Sequence, residues 1–312
     1  AQALNALTTG EIDCSLNVNG KIIEQVQGNK QLALTQNTEP RVTYLGFNTT
    51  HEILSDVRVR RALTLALNRK EITDQITRSG EIPATGFLPP TTEKTDGTSY
   101  RTMGANGLPE PAYGITADAA DVATAQKLLA EAGYPNGEGF PKVELLYYTS
   151  ESDKKICEAI QQMWKDNLNI TVDLRNEDKS VCIQTKRDGK FDISLSGWSA
   201  GYYDAGNMIK QFKLGSACMA QWRYAEDASA PHDKTLNPGQ KAFEDTYQAA
   251  MAAQGAERDR LWTQAEEILM DELPSCPLYY YVFKALINQD VVTGIQVAKS
   301  GNWIFRNAEF VG

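Results

Sequence analysis

The sequence predicts an α/β protein built on an open sheet. Strand-like and helix-like stretches alternate between 143 and 195, as Val143–Tyr148, Ser152–Leu168, Ile170–Leu174, Asp178–Gly189 and Phe191–Leu195. Strand, helix, strand, helix, strand over about fifty residues calls for crossover connections and parallel pairing. The chain has 312 residues, against roughly 100–200 for a usual domain, so one large domain or two lobes is expected. With 42% hydrophobic and 23% charged residues, the composition is that of a soluble globular protein. The charge balance is 31 basic to 40 acidic residues, a net −9 with both histidines neutral. Nucleic acid and anionic membranes demand basic patches, so neither is an expected partner. No apolar run approaches the roughly 20 residues that cross a bilayer.

The elements follow in order. Ala1–Leu7 reads as a helix already under way, with no capping Ser, Thr or Asp before it, and the chain begins without Met or a signal region; the expectation is an internal truncation. Gly10–Asp13 leads into a strand-like stretch, and Val42–Phe47 is an apolar run of strand formers ending at Asn48. Ser55 and Asp56 cap a helix in which Val59, Ala62, Leu63, Ala66 and Leu67 share one face. Arg58, Arg60, Arg61 and Arg69 fall largely off that face, as a solvated or salt-bridged flank. Asn68 with Glu71 resembles a capping box that starts a second helix, closed by Pro83 and Pro89-Pro90. Residues 91–117, rich in Thr, Gly and Pro, read as an irregular loop, and Asp118 to Gly133 as a helix. After the alternating segment, Gly197-Trp198 is expected just past the third strand, at a carboxyl end where ligands of open sheets bind. Asn237–Gln254 and Glu257–Leu273 are two amphipathic helices, and Leu278–Val282 is an aromatic strand.

Catalytic patterns are missing. There is no GxSxG, HExxH, GxxxxGK[ST] or strand–GxGxxG–helix sequence. Gly133–Gly139 follows a helix and reads as a turn. His51 and His232 read as surface or loop residues, and pairs such as Asp153/Glu158 or Glu266/Glu267 as solvated faces. The five cysteines, Cys14, Cys157, Cys182, Cys218 and Cys276, form no CxxC, so no metal or cofactor is expected. Each reads as a small buried hydrophobe; the odd count leaves at least one thiol free or bonded to another chain, and one disulfide stays open.

Several segments carry a family resemblance. Tyr44–Asn48, Ser55–Ala62, Leu67–Ile72, Ala125–Tyr134, Phe191–Trp198 and Cys276–Val282 together resemble the extracytoplasmic solute-binding proteins of peptide and nickel ABC importers, most of all the oligopeptide binders. The resemblance spans essentially the whole chain, in order. It implies an α/β, periplasmic-binding-protein-like fold of type II, in the peptide-binder cluster. Family members are longer, so this chain resembles their C-terminal portion: one nearly complete lobe with an open α/β sheet, about 45–281, plus part of the other lobe, 1–44 and 282–312. The implied function is non-catalytic: solute, chiefly oligopeptide, is held by lobe closure and delivered to an ABC import permease. The implied location is extracytoplasmic, periplasmic or as a cell-surface lipoprotein. The incomplete lobe implies exposed apolar surface and a possible fragment dimer.

Residue by residue, the resemblance gives a ligand-binding set. Gly197 and Trp198 match a pocket-lining Gly-Trp, with Ser199 beside them; Tyr281 matches a tyrosine at the lobe crossing; Asp204 matches an acidic position downstream of the tryptophan; Lys186 stands where an arginine often faces the peptide carboxylate. Gly201 stands where peptide binders carry the aspartate that pairs with the ligand's terminal ammonium. Leu195 and Asp153 replace basic residues expected near a peptide's carboxylate, and Asp178 replaces an aromatic. Thr43 and Ser199 occupy the places of two cysteines that some relatives bridge. These departures set a second reading beside the peptide one: a modified peptide, sugar or chelated metal as solute, or an interaction or signalling role without transport.

Overall fold

The structure is a computed structural model that describes residues 2–16, 18, 20–213, 222, 238–298 and 302–311. Two long strands form its axis. Strand β2 (Leu32–Phe47) pairs antiparallel with β7 (Ser275–Asn288) along nearly its whole length. The register shifts between Thr38 and Val42, and again between Thr43 and Tyr44. Around them one sheet runs in the order β1-β7-β2-β6-β4-β5, with β1 at Cys14–Ser15, β4 at Val143–Tyr148, β5 at Val172–Glu177 and β6 at Ile193–Ser199; β3 (Ile82–Pro83) joins β7. The β6-β4-β5 part is parallel, as the alternation of elements requires, and β6 joins β2 antiparallel. Small pairs β8–β11 (Val292–Thr293 with Glu309–Phe310) and β9–β10 (Gln296–Val297 with Trp303–Ile304) follow β7.

The helices start where side chains can cap them. Asp56 accepts from the Arg58 amide ahead of α3 (Val57–Leu65), beyond α1 (Gln2–Thr9) and α2 (Gly20–Val26). Asn68 accepts from Glu71 N at 3.1 Å, starting the short α4 (Arg69–Glu71), which runs into a π-helical turn, Ile72–Thr77. Asp121 caps α5 (Val122–Glu131), which therefore starts at the first residue of the apolar pattern and not at the expected Asp118. Ser150 caps α6 (Glu151–Leu168), whose buried Ile156, Ile160, Met163 and Trp164 pack on the sheet; Trp164 donates to Leu63 O at 2.8 Å. Helix α7 (Lys179–Arg187) links β5 to β6; α8 (Ala205–Ile209), α9 (Pro238–Ala252) and α10 (Gly255–Glu272) cover the far end. Residues 91–117 are irregular, with isolated bridges only.

Most buried apolar residues form one core under β2, β4, β6 and β7. A second, small cluster joins Leu7, Ile22, Val26, Leu32 and Leu286 at the other end of the long strands. Strands β2 and β7 cross residues 44 and 282 without interruption.

Three charged groups differ from their expected solvated settings. Arg60 is buried and donates to Leu54 O, Ser55 O, Glu272 O and Leu273 O, so one guanidinium satisfies the open carbonyls at the end of α10. Arg69 is equally buried, donating to Pro277 O, Leu67 O and Thr64 O. Glu266, also buried, accepts from the Phe87 and Leu88 amides, from Arg101 and from the Tyr113 hydroxyl. That carboxylate organises the irregular loop, since nothing apolar and periodic does. Cys14, Cys157, Cys182 and Cys276 are free thiols; Cys218 and His232 lie outside the described residues. His51 Nε2 sits 3.5 Å from Asp192.

Candidate solute-binding cleft

A cleft of about 820 Å³ opens at the carboxyl ends of β4 and β6. Its floor is a row of residues in register across three strands. Thr43 of β2 is opposite Gly197 of β6 on one side and Tyr279 of β7 on the other. Because strand side chains alternate, the face that shows Tyr279 also shows Tyr281, and both line the cleft. Gly197, without a Cβ, leaves the β6 end of this row low: the nearest atom to a methyl placed there would be Val42 O at 3.7 Å. One wall is the first turn of α6, from Glu151 to Ile156, with Tyr148 at the end of β4. The opposite wall combines the start of α2 with Ile76–Glu81.

Two ion pairs engage part of the charge around the cleft. Lys284 and Glu81 form a buried pair at 3.3 Å, and burial pulls the Lys284 ammonium below its ordinary pKa. Glu24 and Arg78 pair at 3.7 Å at the rim. Arg41, at the β2 register shift, lies over the Tyr281 ring, 4.0 Å from its centroid. Asp153 is half-buried in the α6 wall, and burial raises its carboxyl pKa in spite of Lys186 and Arg41 nearby.

Of the residues expected to bind ligand, Gly197 and Tyr281 line this cleft. Lys186 is buried beneath its floor, donating to Leu195 O at 2.7 Å and Ser196 Oγ at 2.9 Å with the Tyr148 ring 4.5 Å away. Desolvation lowers its pKa. Gly197 and Trp198 lie inside β6, which runs four residues beyond the expected Leu195 because β2 pairs with it as far as Ser199. The Trp198 side chain therefore leaves the opposite face, where its indole N–H donates to Asn207 O at 2.9 Å. Ser199 is exposed across from Arg41. Gly201 donates its amide to Asn207 Oδ1 at 2.9 Å, and Asp204 caps α8 and pairs with Arg258. Trp198, Gly201 and Asp204 thus gather around Asn207, beside the cleft and not among the residues lining it. Sequence reasoning overlooked Thr43, Tyr279 and Arg41. Tyr279 was within reach, two residues before Tyr281 on the same face; Thr43 and Arg41 needed the pairing register. Among the described residues no cluster of His, Cys, Asp and Glu could hold a metal ion, and no helix is long and apolar enough to cross a membrane.

Residues 1–217 match the family model for bacterial extracellular solute-binding proteins, family 5, middle region. The chain belongs to this family. Among family relatives, it is 30% identical over 275 residues to the oligopeptide-binding protein OppA of Bacillus subtilis, covering 86% of this chain and 45% of that protein. It is 30% identical over 287 residues to the periplasmic oligopeptide-binding protein OppA of Salmonella typhimurium, covering 91% of this chain and 48% of that one. The crystal structure of Haemophilus influenzae OppA in complex with RPPGFSPFR superposes with a TM-score of 0.71 at 25% identity, over 100% of this chain and 56% of the other. The chain spans about half the length of the curated relatives it matches.

Proposed function

We propose that this chain forms one side of the solute site of an ABC importer's binding protein and that its solute is of the peptide class. The observation that carries this is the cleft itself: a volume of about 820 Å³, within the range of ligand sites, at the carboxyl ends of parallel strands. The Tyr279–Thr43–Gly197 row offers a flat, partly aromatic floor that an extended backbone can approach. Tyr281 and Gly197 are the direct contacts; Lys186, buried below, holds the Leu195 carbonyl and the Ser196 hydroxyl beneath the floor; Trp198, Ser199, Gly201 and Asp204 shape the neighbouring turn. Residues 45–281 are taken as one lobe, and 1–44 with 282–312 as part of the other, an assignment favoured by the small separate core. Solute would be held by closure of lobes and handed to a membrane permease outside the cytoplasm, from a periplasmic or lipid-anchored protein, with no chemical step.

Gly201 supports a second reading, a non-peptide solute, because that position offers no carboxylate to a terminal ammonium. Native mass spectrometry of protein purified without refolding from peptide-rich medium tests both. A spread of adducts with short-peptide masses supports the first; one discrete non-peptide adduct supports the second; bare protein overturns the peptide reading. Gly201→Asp extends the test, since its Cβ would meet nothing within 4 Å. It should raise affinity for free peptide amines if the cleft takes peptides in the usual orientation, whereas no gain removes that orientation.

A further inference from the structure

We propose that Asp153 receives a cationic group of the bound solute, an ammonium or a guanidinium, a specificity that rests on the solute-binding reading. Asp153 lines the cleft, half-buried in the first turn of α6 between two hydroxyl-bearing neighbours, Ser150 and Ser152. Its carboxylate has only hydroxyl partners, Ser150 and, at a long 3.5 Å, Ser152 Oγ, and no ion pair among the described residues. Of the bases around it, Lys21 and Lys155 stand exposed to solvent at the rim, and Lys186 and Arg41 are engaged elsewhere. Lys186 is bonded to Leu195 O and Ser196 Oγ, and Arg41 lies over Tyr281. The other acids of the cleft differ in kind: Glu81 and Glu24 have Lys284 and Arg78, and Glu151 is exposed to solvent that can hydrate it.

Leu195 and Ile156, both apolar, also line the cleft, so a solute that settles there strips water from a carboxylate that already has too little. A covered charge is costly unless a counter-charge arrives with the ligand. An anionic group at the same place would add repulsion to desolvation. A cation removes both penalties, and a cation on a flexible stem can reach Asp153 from a backbone lying over the Tyr279–Thr43–Gly197 row.

The probes are N-acetyl-trilysine amide and N-acetyl-trinorleucine amide, which place a cation or its uncharged equivalent at every side-chain position and have no charged ends. Both are titrated calorimetrically into the full chain and its Asp153→Asn and Glu151→Gln variants. The expected result is at least a tenfold preference for trilysine that collapses in Asp153→Asn and persists in Glu151→Gln, which removes the same charge two residues away. Equal binding of the two probes overturns the cation site while leaving the peptide reading intact; so does a preference that survives Asp153→Asn or falls equally in both variants. If neither peptide binds, the peptide reading fails and 1,5-diaminopentane decides the cation site. Binding weakened tenfold by Asp153→Asn upholds it, and no binding overturns it. Asp153→Ser serves as the second variant should Asp153→Asn not fold.

Discussion

Glu266 and Arg101 meet at side-chain exposures of 2% and 5%, so neither charge can fall back on water if the other is removed. Arg101 is held far above its usual pKa by Glu266, against the pull of burial, and the Tyr113 hydroxyl is pushed up chiefly by its own burial. Glu266→Gln should therefore cost about 3–5 kcal/mol, the range for breaking a buried pair, read as a lower denaturant midpoint in urea. Asp153 carries the opposite sign. Its folded pKa is raised by burial, so its contribution favours the folded state below the unfolded value of about 3.9 and is lost as pH rises through the folded pKa. Asp153→Asn should accordingly be more stable than the parent at pH 7.5, with the advantage disappearing near pH 3.5; thermal melts at the two pH values check this. Single residues were the least legible level. Arg60 and Arg69 carry no mark in the sequence that separates them from Arg58, which pairs with Asp56 at the surface. Beside nearby carbonyls, each reaches one more than 200 positions away, Glu272 O for Arg60 and Pro277 O for Arg69. Only the return of the chain decides which guanidinium is enclosed.

Elements were read better, and their errors have a common cause. The parallel β4-α6-β5-α7-β6 run is legible because short strand-forming and longer helix-forming stretches follow one another there, and Val143–Tyr148 matches to the residue. Strand β2 was seen only from Val42 because its first half, from Leu32 to Arg41, is mostly polar and becomes a strand through pairing with β7. For the same reason β6 extends through Gly197 and Trp198, and the alternation sends the tryptophan away from the cleft that its neighbour lines. The helices at the far end pack more closely than their patterns reveal. A methyl on Gly206 of α8 would lie 2.6 Å from the Trp262 ring of α10, a ring that is itself fully buried. Gly206→Ala should cost about 1–3 kcal/mol through overpacking, seen as a lowered Tm with the fluorescence of the native state altered at Trp262. Gly201→Asp, in open space, should leave Tm within experimental scatter.

At the scale of the whole molecule, two cores of unequal size share the same pair of strands. The small cluster around Leu7, Ile22, Val26, Leu32 and Leu286 has few apolar contacts to lose, whereas the main core holds Val42, Leu45 and Phe47 at no exposure. Amides of α1 and α2 should exchange with deuterium at least about tenfold faster than those of residues 42–47, measured by peptide-resolved mass spectrometry; equal protection would mean the two cores unfold as one unit. The composition and the alternating segment anticipated the fold class, but the joining of the two cores could not be seen, because it depends on a long-range ribbon and not on a local period. That ribbon has a mechanical consequence. From Leu32 to Thr38, β7 is the one strand paired with β2 among the described residues, and at Arg41 β2 gains β6. A two-stranded ribbon resists stretching yet turns readily about its own axis, and an irregular register concentrates the turn. The shift between Thr38 and Val42 therefore acts as a torsion bearing at the lip of the cleft, with Arg41 and Tyr281 stacked across it. Pressure on that stacked pair would then exert a torque on the small core, and a rotation of the small core would change the shape of the lip.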